Sequence, residues 1–171
     1  MSYSRLWSIM LLFIILQGCG GSGNKGKFAE YDMYHMAAPQ KDLLTGGQPS
    51  LEDLQRLAKR GTKVVINLRT KGEFKRFNEQ QVVERLGMKY VSIEIDGSDG
   101  ITAKNAQRLD EALNQLKQPA LVHCASSNRV GGLLAYRAFV IQKKSPQESL
   151  AFGRSAGMSG TEKKVKKLLG L

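Results

Sequence analysis

The feature that most constrains this chain is a short apolar strand that runs directly into a helix. Residues 119–123 have the length and apolar character of a buried strand, and an apolar helix is predicted over residues 130–141. Six residues connect the two elements, the first of them Cys124 and the last Arg129. Ligand sites in open α/β sheets lie where a strand ends and the next helix begins. This connection is therefore the candidate site of the chain.

Upstream of this unit, the chain alternates helical and strand patterns. Ser50 is suited to cap a helix whose leucines recur at helical spacing until Gly61. Two further strands are predicted over residues 64–68 and 90–95, with a helical stretch that ends at Gly87 between them, and a helix over residues 102–116 follows the second strand. Helices that cross over between strands make neighbouring strands parallel. The order therefore predicts a three-layer α/β domain, with a central, mostly parallel sheet of about four to five strands flanked by helices.

The residue types in the connection suit the binding of a phosphate-like anion. Backbone N–H groups at a strand-to-helix turn converge on one point, and the helix dipole adds about half a positive charge there. The same field stabilises a thiolate, so Cys124 is a candidate nucleophile. Arg129 offers a planar fork of two N–H donors to phosphoryl oxygens. The predicted oxyanion-binding loop between them consists of Ala125, Ser126, Ser127 and Asn128.

Four segments of the chain form a recognisable set around this loop. They are the turn at 45–50, the strand at 64–69 with Glu73, the strand at 90–95, and the pair His123-Cys124 with Arg129. Together they resemble the dual-specificity phosphatase-like family, including its bacterial branch related to the phosphatase domain fused to NAD kinase. The resemblance implies the tyrosine-phosphatase fold and a cysteinyl-phosphate intermediate, with no metal or organic cofactor. It also implies that His123 orients the cysteine and does not act as a base.

The loop departs from the family pattern in three respects. Four residues separate Cys124 from Arg129, where most tyrosine phosphatases have five, and four is the length usual in rhodanese-type sulfurtransferases. Ser127 stands where the bacterial branch tends to have glycine, and Val130 where it tends to have serine or threonine. Two functions therefore stay open beside a phosphatase: a sulfurtransferase with a Cys124 persulfide, and a non-catalytic oxyanion-binding module. A buried core cysteine beside a surface arginine is the non-functional alternative.

The resemblance also implies a general acid, which the family takes from an aspartate on the loop after the strand that precedes the long helix. Asp96 and Asp99 both occupy that loop, and the prediction favours Asp99 because it lies further out. Either aspartate is equally well explained as an ordinary turn residue. Asn67, Arg69 and Glu73 follow a strand that ends at the same sheet edge as the loop. They either serve the site or include a simple salt bridge between Arg69 and Glu73.

The N-terminal residues predict a bacterial lipoprotein signal peptide over residues 1–18. One basic residue precedes an apolar run over residues 6–16, which is too short to span a bilayer. The Leu-Gln-Gly-Cys sequence that follows resembles the lipobox, so Cys19 is expected to be acylated after cleavage. The alternative is an ordinary secretion signal. Residues 19–30 would form a flexible tether and residues 31–171 a domain with a basic C-terminal helix, lipid-anchored in the bacterial envelope and facing the periplasm.

Strong basicity sets the partners that the domain can attract. The formal net charge is +11, and removal of Arg5 with the signal peptide leaves +10. Seven of the lysines and arginines follow Ile141, against two glutamates. Such a surface attracts phosphorylated substrates and anionic lipid, whereas no nucleic-acid recognition motif accompanies the charge. The chain has two histidines, and with the Cys124 thiol they predict no metal site.

Overall fold

The computed structural model describes residues 33–171, so the predicted signal peptide, the tether and the acylation site Cys19 lie outside the described residues. The described strands are β1 (Ala37–Gln40), β2 (Leu43–Gly46), β3 (Val64–Asn67), β4 (Lys89–Ser92) and β5 (Ala120–His123). They form one sheet in the order β1-β2-β5-β3-β4, in which every neighbouring pair is parallel except β1 with β2. This sheet confirms the predicted α/β class. The sequence patterns do not predict β1 and β2, which are four residues each.

The helices of the described part are α1 (Leu51–Lys59), α2 (Glu79–Arg85), α3 (Ala103–Leu116), α4 (Asn128–Val140), α5 (Pro146–Ser155) and α6 (Glu162–Leu169). Helix α1 begins where predicted, because Ser50 and Asp53 form a reciprocal capping box. The last helix, α6, contains four lysines and lies at the C-terminal end of the domain, as expected from the sequence; α5 precedes it and ends before Gly157, which has a φ of 92°. Among these helices, none combines the length and the apolar character that a membrane span requires.

Helices cover both faces of the sheet, so the central strands are buried along their whole length. Strand β3 shows how the faces divide. Ile66 belongs to a core that contains Leu109 of α3 and Leu133 of α4. Val65, its neighbour, points the other way into a core that contains Leu54 of α1. The result is the three-layer arrangement that the alternation of helices and strands predicts.

The start of α4 is held in place from two directions. Its strand, β5, lies between β2 and β3, so the carboxyl ends of three parallel strands meet beside it. On its outer side, Gly131 lets α5 approach closely, because a Cβ at this position would lie 2.5 Å from the Gly153 carbonyl oxygen of α5. The connection from β5 to α4 is therefore fixed at one edge of the sheet.

Candidate active site

Cys124 lies at the carboxyl end of β5, on the floor of the strand-to-helix connection. Its backbone nitrogen donates a hydrogen bond to the Gly46 carbonyl at the end of β2, at 3.3 Å. The residue is a free cysteine with 1% of its surface exposed. It stands in the apolar core that also contains Val130 of α4. The thiol is thus buried at the point where the loop begins.

The turn at residues 45–50 forms one wall of the loop. Gly47 and Ser126 form an isolated antiparallel bridge, and the Gln48 nitrogen donates to the Ala125 carbonyl at 3.2 Å. A Cβ on Gly47 would lie 2.8 Å from that same carbonyl oxygen, which is closer than real side chains approach. Glycine is therefore required for the turn to lie against the loop.

Ser127 makes the tight bend that a four-residue loop needs. Its φ of 64° is in the left-handed region, which favours glycine. Its buried hydroxyl donates to the Ala156 carbonyl at 2.8 Å, so it does not cap α4. The first turn of α4 also contains no acidic residue. Its backbone N–H groups therefore remain suited to an external anion, as predicted for the loop.

The Asn128 side chain points away from the loop and has a structural role. Its Oδ1 accepts hydrogen bonds from the backbone nitrogens of Ser159, at 2.9 Å, and Thr161, at 3.0 Å. The Thr161 hydroxyl donates to the Asn128 carbonyl at 3.0 Å. The segment between α5 and α6 is thereby tied to the start of α4. Only the backbone of Asn128 is placed to serve the oxyanion loop.

Arg129 is held by two acceptors that leave one edge of its guanidinium for a ligand. Nη1 donates to Glu73 Oε1 at 2.7 Å and to the Ile95 carbonyl at 2.8 Å, while Nη2 donates to Glu73 Oε2 at 2.6 Å. Of the five N–H groups of an arginine, this uses three. Nε–H and the second Nη2–H lie on one edge and form a planar fork for an oxyanion. The hydrogen bonds to Glu73 raise the pKa of Arg129, and the charge of Cys124 adds to that effect.

Glu73 is therefore a site residue and not only a partner of Arg69. The hydrogen bonds from Arg129 lower the pKa of the Glu73 carboxyl to about 2, and donors on Thr70 assist. Arg69 Nε lies 3.5 Å from the same carboxylate, a longer distance than that to Arg129. Of the two sequence-based alternatives for Glu73, the geometry favours service to the site.

A buried polar network lies behind the nucleophile. His123 is fully buried, with Nδ1 at 3.3 Å from the Cys124 carbonyl and Nε2 at 3.2 Å from Glu79 Oε1. Glu79, 6% exposed, also accepts hydrogen bonds from Gln48 Nε2 at 2.8 Å and from Asn67 Nδ2 at 2.7 Å. The network ties β5, β3, α2 and the 45–50 turn together. Its position agrees with a scaffolding role for His123.

The two candidate acids are placed differently. Asp96 lines a cavity of about 540 Å³ together with Glu73, Arg129 and Thr161. Asp99 does not line this cavity; its side chain is 93% exposed and lies 3.3 Å from Lys164 Nζ. We call the cavity that Asp96 lines the acid-side cavity. The sequence analysis favours Asp99, but the geometry favours Asp96, because only Asp96 shares a cavity with the Arg129 guanidinium.

A family model described as DSP-PTPase phosphatase fused to NAD+ kinase matches residues 27–168. The chain belongs to this family. The match agrees with the resemblance that the loop and its neighbouring segments indicate. It makes the chain a phosphatase-type domain of the dual-specificity and tyrosine phosphatase group.

Individual proteins similar to this DSP-PTPase-like domain include the Beta-lactamase hydrolase-like protein of Xylella fastidiosa (strain Temecula1), which is 29% identical over 119 residues. That alignment covers 67% of this chain and 27% of the relative, so the chain spans about a quarter of the length of the curated relatives it matches. Among solved structures, a candidate phosphatase from Shewanella putrefaciens CN-32 has a TM-score of 0.60 at 20% identity, covering 82% of this chain and 96% of its own. Another, from Neisseria meningitidis Z2491, has a TM-score of 0.64 at 16% identity, covering 77% and 96%. These structures share the fold.

Sequence reasoning about the DSP-PTPase-like domain missed one buried residue, Glu79. It stands in the first turn of α2, where an acidic residue is expected on helix-dipole grounds alone. The available signal was its spacing from Val83, which puts both residues on the buried face of α2. Among the described residues, no group of three or more His, Cys, Asp or Glu side chains could hold a metal ion.

Proposed function

We propose that this domain is a cysteine-dependent phosphatase that hydrolyses phosphate monoesters. The Cys124 thiolate attacks phosphorus, so that an S–P bond forms and the ester P–O bond breaks. Asp96 gives a proton to the leaving alcohol oxygen and later accepts one from the attacking water. The water then breaks the S–P bond and releases inorganic phosphate. No metal or cofactor is required by this sequence of steps.

The observation that carries this proposal is the orientation of Arg129. Glu73 and the Ile95 carbonyl hold three of its N–H groups, and Arg129 also interacts with Cys124 at the other end of the loop. A fork fixed before the substrate arrives stabilises the transferring phosphoryl group without reorganisation. The uncapped first turn of α4 adds backbone donors at the same point.

A steady-state assay of the mature domain with an aryl phosphate tests the proposal, with Cys124→Ser as the matched variant. We expect measurable turnover in the native domain and a loss of more than about a thousandfold in the variant, because a serine hydroxyl does not ionise at neutral pH. Equal release of phosphate by both proteins would exclude Cys124 as the nucleophile.

A sulfurtransferase is the second candidate, and the four-residue spacing between Cys124 and Arg129 favours it. Intact-mass measurement separates the two reactions after incubation with an aryl phosphate or with thiosulfate. A trapped phosphocysteine adds about 80 Da and a persulfide about 32 Da to the same thiolate. A stable gain of one sulfur, with no phosphate released from any ester, would replace the phosphatase by the sulfurtransferase.

We also propose that the chain is lipid-anchored through Cys19 in the bacterial envelope, with its domain in the periplasm. The apolar run, the small residue before the cysteine and the glycines after it support the anchor. Labelled palmitate should be incorporated into the native chain and not into a Cys19→Ala variant. Incorporation that survives the substitution would contradict acylation at this residue.

A further inference from the structure

A second cavity lies on the other side of Glu73 from the acid-side cavity. It has a volume of about 710 Å³, and we call it the basic cavity. Its walls include one carboxylate, three cationic side chains and two aromatic rings. These residues are Glu73, Arg69, Lys75, Arg76, Phe74 and Phe77. Gln48 also lines it, and the Gln48 nitrogen is bonded to the Ala125 carbonyl, so the basic cavity adjoins the oxyanion loop.

The cations of the basic cavity have different roles. Arg69 is part of the wall, since it donates to Gln48 Oε1 at 2.9 Å and to the Glu73 carbonyl, and lies 5.3 Å from the centre of the Phe74 ring. Lys75 and Arg76 are exposed, and no partner is found for either among residues 33–171. Two cationic side chains are therefore available to a ligand that enters this cavity.

The two cavities have opposite charge. Two carboxylates, of Glu73 and Asp96, face one guanidinium, of Arg129, in the acid-side cavity, which leaves one net negative charge. Three cations face only Glu73 in the basic cavity, which leaves two net positive charges. Glu73, the partner of Arg129, lines both cavities, so the alcohol of a phosphate ester bound at Arg129 can extend into either of them. An anionic group on that alcohol is repelled by the first and attracted by the second.

We propose that the basic cavity binds a second anionic group, so that the substrates of this domain are phosphate monoesters carrying another anion on the alcohol. This inference rests on the proposed phosphatase function and names its substrate class. Lys75 and Arg76 bind the second anion. The rings of Phe74 and Phe77, which meet edge to face at 4.8 Å, contact the apolar part of the alcohol between the two anions.

The test compares two esters of one shape, phenyl phosphate and 3-carboxyphenyl phosphate, at low ionic strength. We expect the native domain to have a kcat/KM about fivefold higher for the carboxylated ester, the effect of about one well-placed surface ion pair. In a Lys75→Ala/Arg76→Ala variant this ratio should fall to about one. The matched control is Lys163→Ala/Lys167→Ala, which removes two exposed lysines of α6 and should keep the native ratio.

Two outcomes overturn the inference while leaving the phosphatase intact. One is equal kcat/KM for the two esters in the native domain, and the other is a fivefold preference that survives in the Lys75→Ala/Arg76→Ala variant. A preference lost equally in the control would show only the general attraction of a basic surface. Thermal melting of each variant verifies that the exposed substitutions leave the fold intact.

A binding measurement tests the basic cavity independently of the proposed phosphatase activity, because binding can be measured without turnover. Phenylphosphonate and 3-carboxyphenylphosphonate are the non-hydrolysable counterparts, and each should slow alkylation of Cys124 by iodoacetamide. Stronger protection by the carboxylated compound, lost with Lys75 and Arg76, supports the basic cavity even if no ester is hydrolysed. Equal protection by the two phosphonates overturns it.

Discussion

The two sides of the Cys124 loop are held by different kinds of interaction. On the solvent side, Arg129 and Glu73 form an ion pair whose side chains are 12% and 28% exposed. On the core side, His123 and Glu79 have side chains that are only 0% and 5% exposed. Water and an incoming anion therefore reach the first pair more readily than the second.

This difference predicts which substitutions lower activity and which lower stability. An ion pair near solvent is partly screened, so its loss costs little stability, although it orients a donor that the substrate needs. A buried network leaves desolvated groups unpaired when one member is removed, so its loss costs stability first. We expect substitutions on the solvent side to lower kcat/KM in a folded protein and those on the core side to weaken the fold itself.

The largest effect is expected from Arg129→Lys, which keeps the charge and removes the planar fork. The loss in kcat/KM should reach about a thousandfold, the upper size for a lost oxyanion donor. Steady-state kinetics measure it, with Arg154→Lys as the control because Arg154 forms an exposed pair with Glu162 away from the loop. A loss below threefold would mean that Arg129 is structural and that the two sides of the loop do not differ as described.

Asp96→Asn sharpens the description of the solvent side. It should lower kcat by about a hundredfold for alkyl phosphates, which need a proton on the leaving oxygen, and much less for esters with good leaving groups. Asp99→Asn is the matched substitution on the same loop and should have little effect on either ester. The reverse result would restore Asp99 as the acid, and equal losses on both ester types would point to binding.

Glu79→Gln tests the core side. The Glu79 carboxylate accepts hydrogen bonds from both Gln48 and Asn67. A glutamine at this position has one acceptor oxygen and one NH2 group, so one of the two N–H donors would face the NH2 group and lose its hydrogen bond. We expect the free energy of unfolding to fall by about 1–3 kcal/mol in urea titrations. Glu84→Gln, on the exposed side of the same helix, provides the control. Unchanged stability would show that the network behind Cys124 is not fixed.

The smallest effect concerns the stability of the domain at acidic pH. The Glu73 carboxyl has a pKa of about 2 in the folded protein, against 4.5 as its ordinary value. A lowered carboxyl pKa stabilises the fold above the ordinary value, and this contribution is lost as the pH falls from about 4.5 through about 2. The stability difference between the native domain and Glu73→Gln should therefore shrink over that window. It should stay below about 1 kcal/mol throughout, because the pair is near solvent. A difference independent of pH would mean that the ion pair does not form in solution.

The α/β class, the capped start of α1 and the candidate anion-binding loop between β5 and α4 could all be predicted from the sequence. These features depend on local patterns: a short buried run, a helical repeat, and residues adjacent along the chain. The strands β1, Ala-Ala-Pro-Gln, and β2, Leu-Leu-Thr-Gly, carry no such pattern, because neither contains an apolar run long enough to predict a strand.

The side chains that complete the candidate site become evident only in the folded protein. Glu73 is 56 residues from Arg129 in sequence, and Glu79 is 44 residues from His123, yet both pairs are in contact. The choice of Asp96 over Asp99 likewise depends on which aspartate shares a cavity with Arg129. Contacts of this kind follow from the order in which parallel strands lie side by side, because that order brings the loops at their carboxyl ends together. The pattern of residues along the chain indicates where each strand ends, but it does not indicate which strands lie next to each other in the sheet.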